Sequence, residues 1–206
     1  MASSVLQTYA QNINPVDPTS FAYDIENDPN ISFAEKDKVL EVCRNEKIDG
    51  ITSFSLESAL PTVVYVAQRM GLVSNSEDSL FLTQSKFAQR QALEQGGIAV
   101  PCYYQIESEA ELSKINCQYP VIVKPVDSGG SQGICKVETP DKLLEAYKYA
   151  VKYSRTQHVI VEEFVDGREF SVEYISHNGR HYFLQITDKV TSGAPRFVEM
   201  QHHQPA

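Results

Sequence analysis

The stretch VIVKPVDSGGSQGICKVE, residues 121–138, decides the fold of this chain. An apolar run ends at Lys124, a segment with three glycines begins at Asp127, and a second apolar run follows. The pattern predicts strands at 120–124 and 133–138, joined by a glycine-rich loop. Glycine allows backbone N–H groups to gather around an anion, and Lys124 would complete such a site. A flexible hairpin with a solvated lysine is the alternative that this stretch alone leaves open.

The composition allows a sizeable core and restricts the partners. The chain has 206 residues, of which 42% are hydrophobic, enough for one medium domain or two small ones. Its 18 Lys and Arg residues stand against 27 Asp and Glu residues, which gives a formal net charge of -9. We therefore expect no nucleic-acid partner and no membrane partner, and any anionic ligand must be held by local charge.

The cysteines and the N-terminus favour a soluble, cytoplasmic protein. Cys43, Cys102, Cys117 and Cys135 lie far apart and show no metal-ligand spacing. We expect free thiols in a reducing compartment. The first residues contain no basic region leading into an apolar stretch, and no run of about 18 apolar residues occurs in the sequence.

Helix and strand patterns alternate in the first part of the chain, and hairpins dominate the last part. Residues 1–30 are rich in Asn, Asp, Pro and Ser, and we expect a connecting segment there. Predicted helices lie within 33–50 and 56–72, from about Thr83 to Gln95, near 108–116, and from Pro140 to about Tyr153. Further strands are predicted within 51–54, 98–106, 159–165, 168–190 and 196–200, with a hairpin turn at Asn178 and Gly179. The fold class that follows is an α/β layer joined to an α+β unit.

Two further segments carry candidate ligand-binding residues. In VIVEEFVDGREF, residues 159–170, an apolar strand ends at Glu162, and Glu169 follows seven residues later. This arrangement could present an apolar wall to a flat heterocycle and a carboxylate to ribose hydroxyls, although an ordinary hairpin with solvated acids fits as well. Lys86 lies on the first turn of a predicted helix, where the positive end of the helix dipole favours anions. A surface lysine on an amphipathic helix is the alternative there.

The order of the three segments resembles the ATP-grasp superfamily. SKFAQRQALEQGGIAVP (85–101) precedes YPVIVKPVDSGGSQGI (119–134), and VIVEEFVDGREFSVE (159–173) follows both. Members of this superfamily include D-alanine–D-alanine ligase, biotin carboxylase, glycinamide ribonucleotide synthetase and the L-amino acid ligases. The resemblance extends from about residue 30 to the end of the chain.

The resemblance implies an ATP site between two α+β subdomains. Lys86 and Lys124 match the phosphate-binding lysines of the family. The mobile lid loop over the phosphates corresponds to residues 127–133 and contributes Ser128, Gly129, Gly130, Ser131 and Gly133. The adenine-binding linker corresponds to Glu162, Glu163, Phe164 and Val165, and the ribose-binding carboxylate corresponds to Glu169.

The last segment, ITDKVTSGAPRFVEMQHHQPA, is most similar to the branch of amino-acid ligases and carbamoyl-phosphate-synthetase-like enzymes. In that branch Glu199 and His202 fall near the acyl-phosphate or amino-acid site, which makes them the candidate catalytic residues. A solvated strand end can also carry Glu and His three positions apart, so both interpretations stay open.

The resemblance also implies a domain division. A partial pre-ATP-grasp α/β domain is expected at 1–80, with INPVDPTSFAYDI (13–25) similar to its second strand and the loop after it. An ATP-grasp domain is expected at 81–206, with a lid subdomain at about 113–163 and an incomplete C-terminal subdomain. The later acidic residues that hold Mg²⁺ in the family, and an arginine near them, have no counterpart here. We expect a chain truncated at both ends that has no metal ligand of its own and is impaired or inactive, with Mg²⁺ belonging to a full-length parent.

The implied activity is that of an ATP-dependent carboxylate-amine or amino-acid ligase that acts through an acyl phosphate. Its implied partners are ATP and small-molecule carboxylate and amine substrates, and a homodimer is an expectation taken from the relatives. A nucleotide-binding module without ligase chemistry is one alternative. A biotin-carboxylase-like carboxylase fragment is the other.

Overall fold

The computed structural model describes residues 5–7, 32, 34–54, 57–194, 197–204 and 206. The chain divides into two compact units, which we call the N-terminal unit (Met1–Gln84) and the C-terminal unit (Ser85–Ala206).

Three helices and one strand pair make up the described part of the N-terminal unit. The helices are α1 (Lys36–Asn45), α2 (Leu60–Met70) and α3 (Glu77–Gln84), and a 3-10 turn lies at Glu57–Ala59. Strands β1 (Val5–Gln7) and β2 (Thr52–Phe54) pair antiparallel. Apolar side chains of α1 and α2 at helical spacing form the core, chiefly Val39, Leu40, Cys43, Val63, Val66 and Ala67.

The predicted helix with an early proline and a terminal glycine is confirmed as α2. Pro61 occupies its first turn, where no N–H donor is needed, and Gly71 ends it with a left-handed φ of 68°. Strand β1 corrects the expectation that all of residues 1–30 form a connecting segment. The strand and loop expected at 13–25 lie outside the described residues.

The predicted helix from Thr83 to Gln95 is wrong in its extent, because the helical conformation is interrupted at Ser85. Helix α3 ends at Gln84, and helix α4 (Lys86–Gln95) begins one residue after Ser85. Ser85 is extended, and its hydroxyl accepts a hydrogen bond from the backbone N–H of Ala88, so it caps α4. The correction leaves Lys86 on the first turn of a helix, as the sequence predicts.

A four-stranded antiparallel sheet forms the first half of the C-terminal unit. Its strands are β3 (Tyr103–Ile106), β4 (Val121–Pro125), β5 (Cys135–Val137) and β6 (Val159–Glu163), in the order β3-β6-β4-β5. Helix α5 (Leu143–Val151) follows a 3-10 turn at Pro140–Lys142, and the linking helix expected near 108–116 is a 3-10 helix, Glu109–Lys114. We call this sheet the lid sheet.

The two faces of the lid sheet differ in their partners. Val121, Val123, Val159 and Val161 point to one face and form a fully buried core with α5. The alternate residues, which include Lys124 and Glu162, point to the opposite face, since side chains alternate along a strand. The apolar alternation therefore places both charged residues on the side of the sheet away from α5.

A three-stranded antiparallel sheet forms the second half of the unit. Its strands are β7 (Glu169–His177), β8 (Arg180–Thr191) and β9 (Glu199–His203), in that order. The turn predicted at Asn178 and Gly179 is confirmed, because both have positive φ, as two-residue hairpin turns require. We call this the ribbon sheet. Antiparallel sheets with helices packed beside them confirm the α+β fold class.

The expectation of four free thiols is wrong for two of the cysteines. Cys102 and Cys117 form a disulfide with a Cα–Cα distance of 5.7 Å, while Cys43 and Cys135 remain thiols. The pair is separated by 15 residues, and the fold brings the start of β3 next to the segment before β4. Within the described residues, no helix is both long and apolar enough to cross a membrane.

Candidate functional site

Lys86 joins α4 to the glycine-rich loop. Its backbone N–H donates to the carbonyl of Val126 at 2.9 Å, and its ammonium Nζ lies 2.5 Å from the carbonyl oxygen of Ser128. Two contacts from one residue therefore fix the start of α4 against the first part of the loop. A cation on the first turn of a helix adds to the positive potential of the helix terminus. The region where α4 begins beside residues 126–128 therefore favours an anion.

Lys124 belongs to a three-residue charge cluster, formed with Arg90 and Glu162. One carboxylate oxygen of Glu162 contacts the ammonium of Lys124, and the other accepts from Nε of Arg90 at 2.6 Å. Glu162 lies in β6, Lys124 in β4 and Arg90 in α4, so the cluster connects two strands and a helix. The cluster carries one negative and two positive charges and has a net charge of about +1.

The carboxylate of Glu162 is the most buried member of this cluster. Its side chain is 4% exposed, compared with 17% for Lys124 and 27% for Arg90. Burial by itself would raise the pKa of Glu162, but the charges and hydrogen bonds of Lys124 and Arg90 outweigh that effect and lower it. Glu162 is therefore an anion at neutral pH, held between two cations.

Asp127 fixes the beginning of the glycine-rich loop to the segment after α5. Its carboxylate accepts hydrogen bonds from the Ser154 hydroxyl at 3.0 Å and from the backbone N–H groups of Arg155 at 3.2 Å and Thr156 at 2.9 Å. The hydroxyl of Ser128 also donates to the carbonyl of Tyr153. The first two residues of the loop are thus held by several hydrogen bonds.

The rest of the loop follows a backbone path that needs glycine. Gly130, Ser131 and Gly133 have φ values of 64°, 56° and 71°, all in the left-handed region. A Cβ on Gly133 would lie 2.8 Å from Pro125 and 3.0 Å from Tyr153, so glycine is also required there by close packing. The Ser131 hydroxyl donates to the carbonyl of Phe197 at 3.0 Å, which connects the loop to the segment before β9.

The segment after β6 carries an aromatic cavity. Phe164 packs against Phe197 with ring centroids 5.9 Å apart, and the ammonium of Lys136 lies 4.3 Å from the centroid of the Phe164 ring. These three residues, with Pro120 and Asp166, line an open cavity of about 370 Å³. Aromatic rings beside a cation form a surface suited to a flat, electron-rich heterocycle.

Backbone hydrogen bonds hold this segment in place. The backbone N–H of Glu163 donates to the carbonyl oxygen of Cys102 at 2.9 Å, and the backbone N–H of Phe164 donates to the carbonyl oxygen of Pro120 at 2.9 Å. Val165, which follows, is 71% exposed. The predicted linker thus begins in the lid sheet and passes into solvent.

The ribbon sheet aligns three polar side chains, two of which are candidate site residues. Glu169 of β7 is opposite Lys189 of β8, and Lys189 is opposite His202 of β9, so the three lie in one row across the sheet. The carboxylate of Glu199 contacts Lys189, and its other oxygen lies 3.6 Å from Nε2 of His202. The hydrogen bond from Lys189 is the main cause of the lowered pKa of Glu199, with His202 contributing.

An open groove of about 630 Å³ lies beside Glu169 and Lys189 of this row. Gly167, Arg168, Glu169, Lys189 and Thr191 are among the residues that line it. Glu199 contacts both Lys189 and His202, and Lys189 is opposite Glu169 of β7.

No sequence pattern singled out four residues that contact the candidate site residues: Arg90, Lys136, Lys189 and Phe197. Arg90 lies four positions after Lys86 and therefore on the same face of the helix, so its spacing in the sequence could have identified it as a neighbour of Lys86. The other three reach the site only through strand pairing or a backbone turn. In the described part of the chain, no group of three or more His, Cys, Asp and Glu side chains could hold a metal ion.

Comparison with known proteins places this chain in a family. The sequence model of the family "D-ala D-ala ligase C-terminus" matches residues 93–202, more than half of the chain. The carbamoyl phosphate synthase large chain of Thermotoga sp. strain RQ2 is 27% identical over 183 residues, which cover 86% of this chain and 16% of that protein.

Two solved structures share the fold. An L-amino acid ligase from Bacillus licheniformis superposes with a TM-score of 0.65 at 27% identity, covering 81% of this chain and 40% of the ligase. The ADP complex of purK, an N5-carboxyaminoimidazole ribonucleotide synthetase, superposes with a TM-score of 0.69 over 85% of this chain and 45% of that protein. At 19% identity the second match shows the fold alone.

The chain thus spans less than half the length of each of these relatives. The family match covers the lid sheet, the glycine-rich loop and the ribbon sheet, which together hold most of the candidate site residues. The chain belongs to the D-Ala–D-Ala ligase C-terminal family of the ATP-grasp superfamily.

Proposed function

We propose that this chain is the ATP-binding portion of a ligase that joins a carboxylate to an amine at the expense of ATP. When bound, ATP would supply a γ-phosphoryl group that converts the carboxylate into an acyl phosphate, from which the amine displaces phosphate. Family membership supports the ligase class. The L-amino acid ligase among the structural relatives favours an amino acid as one substrate.

One observation carries the proposal: a helix, a strand and a glycine-rich loop bring two lysines to the same corner. Lys86 contacts the carbonyls of Val126 and Ser128, which lie two and four residues after Lys124. A glycine-rich backbone in left-handed and turn conformations, with positive charge beside it, forms the kind of site that binds phosphates. The described residues therefore fit the phosphates of ATP.

The remaining parts of the nucleotide also have suitable neighbours. The cavity beside Phe164 and Lys136 suits the flat base, and the exposed carboxylate of Glu169 suits the ribose hydroxyls. In this proposal Glu163, Phe164 and Val165 supply the backbone contacts of the linker, and Lys86 and Lys124 stabilise negative charge on the phosphates. The tip of the loop, 129–132, would close over them and exclude water.

Glu199 and His202 would lie near the acyl phosphate or the amino-acid substrate. Lys189 holds Glu199 as an anion, and an anion there could attract the ammonium group of an amino acid. The described residues contain no group of three or more His, Cys, Asp and Glu side chains that could hold a metal ion, and the proposal assigns no residue to Mg²⁺. A homodimer and a cytoplasmic location remain predictions.

Calorimetric titration with ATP and Mg²⁺ tests the proposal. We expect saturable binding by the chain and a loss of about tenfold or more in affinity for Lys124→Ala, because one of the phosphate cations is removed. Lys148→Ala is the matched control: it removes the same charge from α5, on the opposite face of the lid sheet, where Lys148 pairs with Glu109. Its affinity should equal that of the parent chain.

Two outcomes would change the conclusion. Equal affinity of the parent chain and Lys124→Ala would remove the lysine from the phosphate site. Hydroxylamine, which traps acyl phosphates as hydroxamates, separates the chemistry from binding. Nucleotide binding without hydroxamate from any tested amino acid would support a nucleotide-binding module in place of a ligase.

A further inference from the structure

Arg90 stands out because it shares one buried carboxylate with a proposed phosphate-binding lysine. Glu162 presents one oxygen to Nε of Arg90 at 2.6 Å and its other oxygen to Lys124. One cation would be enough to neutralise one carboxylate. The presence of a second cation therefore calls for a reason beyond charge balance.

The strand register determines which residues lie beside the carboxylate of Glu162. Glu162 is opposite Ile122 on β4, so its side chain leans toward Lys124, two positions further along the same face. On its other side it is opposite Tyr103 of β3, whose hydroxyl donates to Glu94 of α4. The carboxylate thus lies between the ammonium of Lys124 on β4 and Nε of Arg90 on α4.

We propose that Arg90 is a positioning residue for nucleotide binding, which acts by holding Glu162 so that the carboxylate takes only one hydrogen-bond donor from Lys124. This inference rests on the proposed function. An ammonium has three donors, and one contact with Glu162 leaves two for a phosphate. Without Arg90, both carboxylate oxygens would turn to Lys124 and occupy a second donor.

Because the guanidinium has four N–H donors besides Nε, a variant that lacks the Glu162 carboxylate is needed to separate this role from direct contact between Arg90 and the ligand. Arg90 reaches Glu162 from α4, one turn after Lys86, and its Nε is already engaged by the carboxylate. In the proposed role its effect on the phosphate passes through Glu162. Removing Glu162 should then make Arg90 dispensable.

A double-mutant cycle on the 206-residue chain tests this, with ATP affinity measured by calorimetry. We expect Arg90→Met to weaken ATP binding by roughly tenfold, and Arg90→Lys, which can still donate to the free oxygen, to recover affinity to within about threefold of the parent chain. In a Glu162→Gln background, Arg90→Met should change affinity by less than about threefold.

The matched control is Arg180→Met, which removes the same charge. Arg180 lies beside the turn of the β7–β8 hairpin, at the opposite end of the hairpin from Glu169. The affinity of Arg180→Met should be unchanged. Circular dichroism checks that each variant folds, and if Arg90→Met does not fold, Arg90→Leu, which also lacks a donor, takes its place with the same expectation. Two results would overturn the proposal: unchanged affinity in folded Arg90→Met, or an equal loss in both backgrounds, which would mean that Arg90 acts without Glu162.

A measurement without nucleotide separates failure of this inference from failure of the proposed function. The acylation rate of Lys124 with acetic anhydride, followed by peptide mass spectrometry, reports how tightly its ammonium is held. We expect acylation in Arg90→Met to be slower by about threefold or more, since the whole carboxylate is then available to Lys124. If the parent chain binds no ATP, the proposed function fails, and only the acylation rate then tests whether Arg90 positions Lys124. An unchanged acylation rate in Arg90→Met would reject that role for Arg90.

Discussion

At the scale of single residues, Glu162 shows how a buried carboxylate depends on its cations. The sequence places it in a predicted adenine-binding linker, and the structure shows its side chain between Lys124 and Arg90. The Glu162 side chain is thus engaged by two cations, while the predicted linker continues into Glu163, Phe164 and Val165.

Because the folded-state pKa of Glu162 is lowered, its contribution to stability has a defined pH dependence. It is fully present above the ordinary carboxyl pKa of about 4.5 and is lost as the pH falls through the lowered folded value. We expect Glu162→Gln to reduce the free energy of unfolding at pH 7 by about 3 kcal/mol, since two cations lose their shared partner. This deficit should shrink below about pH 4, where the parent chain begins to lose the same contribution.

Urea unfolding between pH 3 and pH 7 measures this difference. Glu173→Gln, at an exposed position on β7, provides the same change of charge without a buried partner and should lie within about 0.5 kcal/mol of the parent chain. A deficit for Glu162→Gln that stays constant over the whole pH range would show that the carboxylate is not held as an anion in the folded state.

At the scale of elements, the glycine-rich loop contains two glycines with different requirements. Gly130 has a φ of 64° and open space around its Cβ position, whereas Gly133 has a φ of 71° and a Cβ position only 2.8 Å from Pro125. Alanine at either site has to adopt a left-handed backbone, which costs about 1–2 kcal/mol. Alanine at Gly133 also forces overlap with Pro125, for about 1–3 kcal/mol more.

We therefore expect Gly133→Ala to lower the free energy of unfolding by at least about 1 kcal/mol more than Gly130→Ala. Paired urea titrations of the two variants measure the difference, and the shared φ makes each the control for the other. Equal losses would mean that Pro125 and Tyr153 move aside at little cost.

At the scale of the whole molecule, the Cys102–Cys117 disulfide joins two segments that support the site. The carbonyl of Cys102 accepts from the N–H of Glu163, at the start of the proposed linker. The bond closes a loop of 15 residues, for which chain-entropy arguments give about 3 kcal/mol of stability. We expect reduction to lower the free energy of unfolding by about this amount.

Peptide mapping without reductant should recover the Cys102 and Cys117 peptides as one linked species. Alkylation at pH 8 should modify Cys43 slowly, because burial raises the pKa of its thiol to about 11. A Cys135→Ser variant controls for other thiol effects and should respond to reductant like the parent chain. Separate peptides for Cys102 and Cys117 in the unreduced protein would contradict the disulfide.

The sequence by itself determined the features that depend on neighbouring residues. Apolar alternation predicted the strands on both sides of the loop, Asn178 and Gly179 predicted the hairpin turn, and Lys86 was expected on the first turn of a helix. The order of the three motifs predicted the superfamily that the family match confirms. Local rules suffice for these features, because strand period, turn conformation and motif spacing are read over only a few residues.

The tertiary structure alone decided which distant side chains meet. The sharing of Glu162 by Arg90 and Lys124 joins residues up to 72 positions apart, and the row of Glu169, Lys189 and His202 follows from strand register. The break at Ser85 depended on whether its hydroxyl would cap a helix, which periodicity does not report. Pairings of this kind are set by packing over the whole unit, so no short stretch of sequence contains them.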